Sequence, residues 1–324
     1  MSGPGPIIVA DIGGTNARFA MAERGGDGVI RLGEPVVYET GAYAGIERVW
    51  PSVREALGTN PGGLAIAAAG PERNGAISLT NAGWTLDRRS IGALAVTGRT
   101  LLINDVEAIG HAARWLPPED FTPILGPEQR SGEPAVTAVA GIGTGFGLVV
   151  LIRHGGGYRV RATEGGHADF APGTAFERQV AEHLLAGRDR VTIEHVLSGP
   201  AIVDLAHVIR GAPASIDDRT LWRMGLGETD PVASMAVSRF CEALGGTLAN
   251  IALVLGAEAV VLAGGLGQRL AGRLAGSGFA DRFRAKAPME HVLDGVEVRA
   301  ITHPEPGLFG AAAAFFAANA QSGA

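Results

Sequence analysis

Two glycine-rich turns in this 324-residue chain have the make-up of anion sites: Gly13, Gly14, Thr15 and Asn16 after the apolar run IIVADI, and Gly141, Ile142, Gly143, Thr144 and Gly145 after AVTAVA. Glycine lets backbone N–H groups come close to an anion, and each turn adds a threonine hydroxyl that can bond a phosphate oxygen. Taken singly, either turn reads as well as a tight hairpin. Asp11 shifts the balance for the first. A carboxylate near the end of an otherwise apolar buried strand needs a partner, because burying an unpaired charge is costly, and a hydrated Mg²⁺ carried by a nucleotide is a natural one. A lysine-based phosphate loop is excluded, since the single lysine, Lys286, stands in no GxxxxGK[ST] pattern.

Asn104 and Asp105 close the run TLLIN and lead into a helical pattern. The carboxyl end of a strand in an open α/β sheet is where functional side chains gather, so Asp105 suits a catalytic carboxylate; it suits a helix cap as well. Glu164 and His167 stand in EGGH with Asp169 close behind, and Glu194 precedes a Ser-Gly-Pro turn. Such side chains can accept from vicinal hydroxyls of a sugar. The structural alternatives are a satisfied histidine and a solvated helix glutamate, and a metal site of His167 and Asp169 lacks a third ligand. Gly264 and Gly265 follow the strand EAVVLA and open a helix, an arrangement that admits a flat base or a ribose against the backbone.

Strands are expected at 7–12, 17–22, 64–69, 100–104, 258–263 and 297–302, with two more flanking the second glycine turn. Helices are expected at about 45–57, 106–116, 174–186, 200–210, 231–255 and 307–319. The strand, glycine turn and strand unit occurs twice, which suggests two related α/β halves. Residues 210–230 are polar and show no clear period.

Composition narrows the class. At 46% hydrophobic content the chain can bury a real core, and a net charge of −6 without any basic run argues against nucleic acid or an anionic membrane as partner. The one cysteine, Cys241, excludes an internal disulfide and a multi-thiolate zinc site. The start, Met-Ser-Gly-Pro-Gly-Pro, lacks the basic opening of a signal peptide, so a cytoplasmic protein is expected. Residues 135–152 carry no charge, but Gly141, Gly143, Gly145 and Gly147 break any spanning helix.

In series, these segments resemble the bacterial ATP-dependent glucokinases of the actin and hexokinase superfamily. DIGGTNARFA from Asp11 and GIGTGFG from Gly141 resemble the two phosphate motifs, and LINDVEAIGHA from Leu102 resembles the segment of the catalytic aspartate. EGGHADFAP from Glu164 and EHVLSGPA from Glu194 resemble the hexose segments, and AGGLGQR from Ala263 the adenosine segment. A cysteine cluster after the histidine, carried by a zinc-containing branch, is missing, which points to the non-zinc branch. The resemblance implies a two-domain actin-like, hexokinase-like α/β fold with a cleft between a small domain, 1–110 completed by 306–324, and a large one, 111–305. It implies phosphoryl transfer from ATP to the 6-hydroxyl of glucose. Asp105 would be the general base. Asn104, Asp105, Glu164, His167 and Glu194 would hold the sugar, and Mg²⁺ would arrive with ATP near Asp11 rather than on direct protein ligands. The resemblance allows a homodimer. Kinases of other hexoses and a non-kinase sugar sensor on the same fold remain the alternatives.

Overall fold

Ile7–Ile12 forms the first strand, β1, in which every residue but Asp11 is buried. In this computed structural model the structure describes residues 5–58, 61–70, 72–79, 83–95, 98–127, 132–213 and 215–321. Met1–Pro4 at the start lie outside the described residues. The chain divides into two units, Met1–Pro117 with His303–Ala324, and Pro118–Thr302.

In the first unit, β2 (Asn16–Arg24) returns antiparallel to β1, with Asp11 opposite Arg18 and Ile12 opposite Ala17. Short strands β3 (Ile30–Leu32) and β4 (Val36–Glu39) both pair with β2. After helix α1 (Ile46–Leu57), strand β5 (Leu64–Ala68) lies parallel to β1. A small three-stranded sheet follows, β6 (Glu72–Arg73), β7 (Ala76–Ser78) and β8 (Thr85–Asp87), and then helix α2 (Arg88–Leu94). Strand β9 (Thr100–Asn104) pairs parallel with β5 and runs straight into α3 (Asp105–Trp115). The main sheet thus has the order β3-β2-β1-β5-β9, with β4 on β2. The C-terminal helix, Pro306–Gln321, returns to this unit. Its residues 307–316 are all buried, as expected of a helix that is apolar on every side. Gly310 sits where a Cβ would strike the Ala108 carbonyl, so this helix crosses α3 backbone to backbone.

The second unit repeats the plan. Its strands are β10 (Phe121–Leu125), β11 (Val136–Ile142), β12 (Phe146–His154) and β13 (Gly157–Thr163). Helices α4 (Ala175–Leu185), α5 (Ile193–Val196), α6 (Ile202–Arg210), α7 (Asp218–Leu226) and α8 (Pro231–Leu255) follow. The unit closes with β14 (Ala259–Ala263), α9 (Gly264–Leu274), α10 (Phe279–Arg284), α11 (Glu290–Leu293) and β15 (Glu297–Ile301). Its sheet order is β10-β15-β14-β11-β12-β13. Here β11 pairs antiparallel with β12 and parallel with β14, and β14 is parallel to β15, the same pattern that β1, β2, β5 and β9 make. The two glycine turns therefore occupy equivalent hairpins of two like sheets.

Residues 210–230, which show no period in the sequence, contain α7. Asp217 caps it by accepting the Thr220 N–H, and Leu221, Trp222 and Gly225 are its buried face. Nine residues with one apolar face are too short a window for a period to stand out. Cys241 is buried in α8, and burial pushes its thiol up to about 11, which leaves it inert. Among the described residues, no helix is long and apolar enough to cross a membrane.

Candidate active site

The first glycine turn is held from behind. Gly13 N–H closes it by donating to the Asn16 carbonyl at 2.9 Å. Thr40, fully buried just past β4, donates its hydroxyl to the Gly14 carbonyl at 2.8 Å and its N–H to the Thr15 carbonyl at 3.0 Å. The pairing of β4 with β2, Glu39 opposite Asn16, brings Thr40 there. Among the described residues the N–H groups of Gly14 and Thr15 have no partner, and the Thr15 side chain is exposed. With two carbonyls held by Thr40, the turn leaves two backbone N–H groups that an anion could take. Thr40 stands outside the motif, 24 residues or more along the chain, so only the strand pairing reveals it.

Asp11 and Asp105 stand near the carboxyl ends of β1 and β9 in this sheet. Burial, then the nearby Asp105 carboxylate, push the Asp11 carboxyl up to about 6, against the pull of Arg18. Burial also raises Asp105 to about 6, more than the hydrogen bonds from Val106 and its neighbours lower it. Capping falls to Asn104. Its Oδ1 accepts the N–H groups of Val106 at 2.9 Å and Glu107 at 3.3 Å, while its Nδ2 donates to the Gly70 carbonyl at 2.7 Å. Asp105 is the first residue of α3, not its cap. The Cα of Gly307, in the first turn of the C-terminal helix, lies so close to the Asp11 carboxylate that a Cβ there would strike Oδ2.

In the second unit the turn Gly143–Gly145 is gripped from the 194–199 segment. Gly199 N–H donates to the Gly143 carbonyl at 2.7 Å, and Glu194 Oε2 accepts the Phe146 N–H at 2.8 Å. Thr144 at the tip is exposed, as Thr15 is. Trp222 of α7 donates its indole N–H to the Gly199 carbonyl at 2.7 Å, with its ring edge-on to Phe240 at 5.1 Å. The segment that carried no signal thus supports the Ser-Gly-Pro turn.

Glu164 precedes and His167 ends a single 3₁₀ turn, Gly165–His167, with His167 Nε2 3.8 Å from Glu164 Oε2 and both side chains largely exposed. Gly166 is there because a Cβ would strike the Phe146 carbonyl, so the turn is seated on the start of β12 beside the glycine turn. Asp169 pairs with Arg190 at 2.8 Å and is not a ligand partner of His167. Among the described residues no group of three or more His, Cys, Asp or Glu side chains could hold a metal. Gly264 opens α9 at a φ of 83°, and a side chain there would strike the Ile142 carbonyl, whereas Gly265 faces open space. The adenosine-like segment therefore abuts the second glycine turn within one unit.

The glucokinase family model matches residues 8–318. A glucokinase of Zymomonas mobilis is 39% identical over 314 residues, covering 95% of this chain and 97% of that protein. Among solved structures, a glucokinase from an Antarctic psychrotroph is 29% identical with a TM-score of 0.84, covering 96% of this chain and 98% of that one. The glucokinase of Balamuthia mandrillaris in complex with glucose shares the fold, at 21% identity and a TM-score of 0.79 over 97% and 94% of the two chains. Sequence and architecture agree over almost the whole length, and the chain belongs to the glucokinase family.

Proposed function

We propose that Asp105 is the general base with which this kinase passes the γ-phosphoryl group of ATP to the 6-hydroxyl of glucose. Phosphorylation of glucose by ATP comes with the family. The residue roles rest on one observation above the others. Asp105 Oδ1 shares the Val106 N–H with Asn104, at 2.9 Å each, while Asn104 alone also takes the Glu107 N–H; even so, burial pushes the Asp105 carboxyl up to about 6, close enough to neutral pH to take a proton and release it again.

Phosphoryl transfer asks little covalent work of a protein, so positioning and charge neutralisation carry it. Asp105 takes the proton of the attacking hydroxyl. Asn104, Glu164, His167 and Glu194 hold the other hydroxyls of the ring, and the free amides of Gly14 and Thr15, with Thr144 and Gly145, cradle the phosphates. Gly264 and Gly265 let the adenosine approach the backbone. Asp11 fits the requirement for Mg²⁺: it is a hard oxygen donor, densely surrounded yet partly accessible, with no hydrogen-bond partner among the described residues. Mg²⁺ bound with ATP would neutralise phosphate charge there. A cytoplasmic location belongs to the same reading, because the ATP that it consumes is held there.

A panel of hexoses with ATP in a coupled ADP-release assay tests the substrate. Glucose should give the highest kcat/KM, whereas a clear preference for fructose, mannose or an amino sugar, or sugar binding without turnover, would replace glucose as the substrate.

A further inference from the structure

We infer that Thr40 is a positioning residue for the phosphates of the nucleotide that ATP and ADP share, acting through the backbone of the Gly13–Asn16 turn. The inference rests on the reading of that turn as the first phosphate site.

The turn has two kinds of backbone group to dispose of. An anion is attracted by the N–H dipoles and repelled by the carbonyls, so a nest works only if the carbonyls are turned away and held there. Both carbonyls at issue, those of Gly14 and Thr15, are taken by donors of one residue, the Thr40 hydroxyl and the Thr40 N–H. Thr40 is fully buried, so its hydroxyl cannot exchange this bond for one to bulk water. Its own place is fixed. It follows β4, whose register on β2 is set by Glu39 opposite Asn16 and Tyr38 opposite Ala17. Tyr38 lies edge-on between Phe19 and Tyr43, with ring centroids 6.1 and 6.0 Å away, and the Tyr43 carbonyl receives the indole N–H of Trp84 at 2.9 Å. The bracing thus runs from a rigid aromatic row into the turn.

The second unit solves the same problem with different residues. There the Gly143 carbonyl is taken by the Gly199 N–H, a backbone donor, and no side-chain hydroxyl is involved. Two like hairpins with their carbonyls pinned by unrelated segments argue that the pinning serves the turn rather than the local packing of either segment. In the first unit the hydroxyl offers a single-atom handle on it.

Thr40→Val removes the hydroxyl and keeps the shape; Thr40→Ser keeps the hydroxyl and removes the methyl group. Steady-state kinetics with both substrates, with ATP and ADP titrated into each variant by calorimetry, decide the matter. Thr40→Val should raise the KM for ATP about tenfold and weaken ADP to a similar degree, with the KM for glucose within about twofold, and Thr40→Ser should stay within about twofold of the parent throughout. The inference is overturned if Thr40→Val leaves nucleotide binding within about twofold, if both KM values move together, or if serine fails to rescue. A parent that binds nucleotide but does not phosphorylate glucose would overturn the kinase reading alone, and the calorimetry would still decide the role of Thr40.

Discussion

Glu194 Oε2 accepts the backbone N–H of Phe146 at 2.8 Å, so the carboxylate assigned to the sugar is also a tether of the second glycine turn. Gly145 lies against the same oxygen, closely enough that a Cβ would strike it. Glu194→Ala should therefore raise the KM for ATP as well as for glucose, each by about tenfold, because the turn loses its anchor along with the hydroxyl acceptor. Glu164→Ala should raise only the KM for glucose, since Glu164 is exposed and, among the described residues, its ion-pairing neighbour is His167 at 3.8 Å. Two-substrate kinetics on the pair check the contrast, and an unchanged KM for ATP in Glu194→Ala would remove the tether.

Asp105→Asn should lower kcat by about 10² to 10⁴ while melting within a few degrees of the parent. The cap of α3 is Asn104, which the substitution leaves in place, so little stability is at stake. Calorimetry should find glucose still bound. A variant that keeps more than about a tenth of the parent kcat would deny Asp105 the role of base.

Asp11→Asn should stabilise the fold at neutral and alkaline pH. The Asp11 carboxyl is raised from 3.8 to about 6 by burial and by Asp105, so the folded state holds its proton more tightly than the unfolded chain does. Stability from this group is thus present at acid pH and is lost as pH rises from about 4 through 6. Replacing it by the neutral amide should add about 2 kcal/mol near pH 8 and little near pH 4, while weakening ATP. Denaturant titrations at the two pH values give the comparison; a gain of equal size at both would mean that the effect is not ionisation.

Gly307→Ala should cut kcat/KM by more than about tenfold and lower Tm, because the added methyl group meets the Asp11 carboxylate at the head of the C-terminal helix. The neighbouring Ala311 and Ala312 are equally buried but are already alanine, so burial alone does not demand glycine in this helix; at position 307 it is the close Asp11 carboxylate that does. Activity and melting curves of this single variant suffice, and an active, equally stable Gly307→Ala enzyme would refute the close approach.

The hairpin strands and long helices were legible because their signals are local. IIVADI, TLLIN and the 25-residue α8 carry their own pattern and came out within a residue or two. The site motifs were legible for the same reason, since glycine turns and strand-end carboxylates lie in short runs. What stayed hidden was whatever depends on pairing between distant segments. Thr40 looks like any threonine after a strand until β4 is laid on β2, and Trp222 looks like a core residue of a polar stretch until its indole N–H is found on Gly199. The purpose of Gly166 stayed hidden as well, because a glycine required by close approach and one providing flexibility are written with the same letter.

The helix Pro306–Gln321 is made after the whole of the second unit, yet it lies against β1 and α3 of the first. On the ribosome, residues 118–302 can therefore finish folding while the earlier-made first unit still lacks the helix that covers α3. Until then its apolar surface has no cover, and the unfinished chain is open to chaperones and to aggregation in a way that the released chain is not. The glycine face of that helix, Gly307 on Asp11 and Gly310 on Ala108, also means that the nascent enzyme acquires the final surroundings of its Asp11 carboxylate only after residues 118–302 have been made.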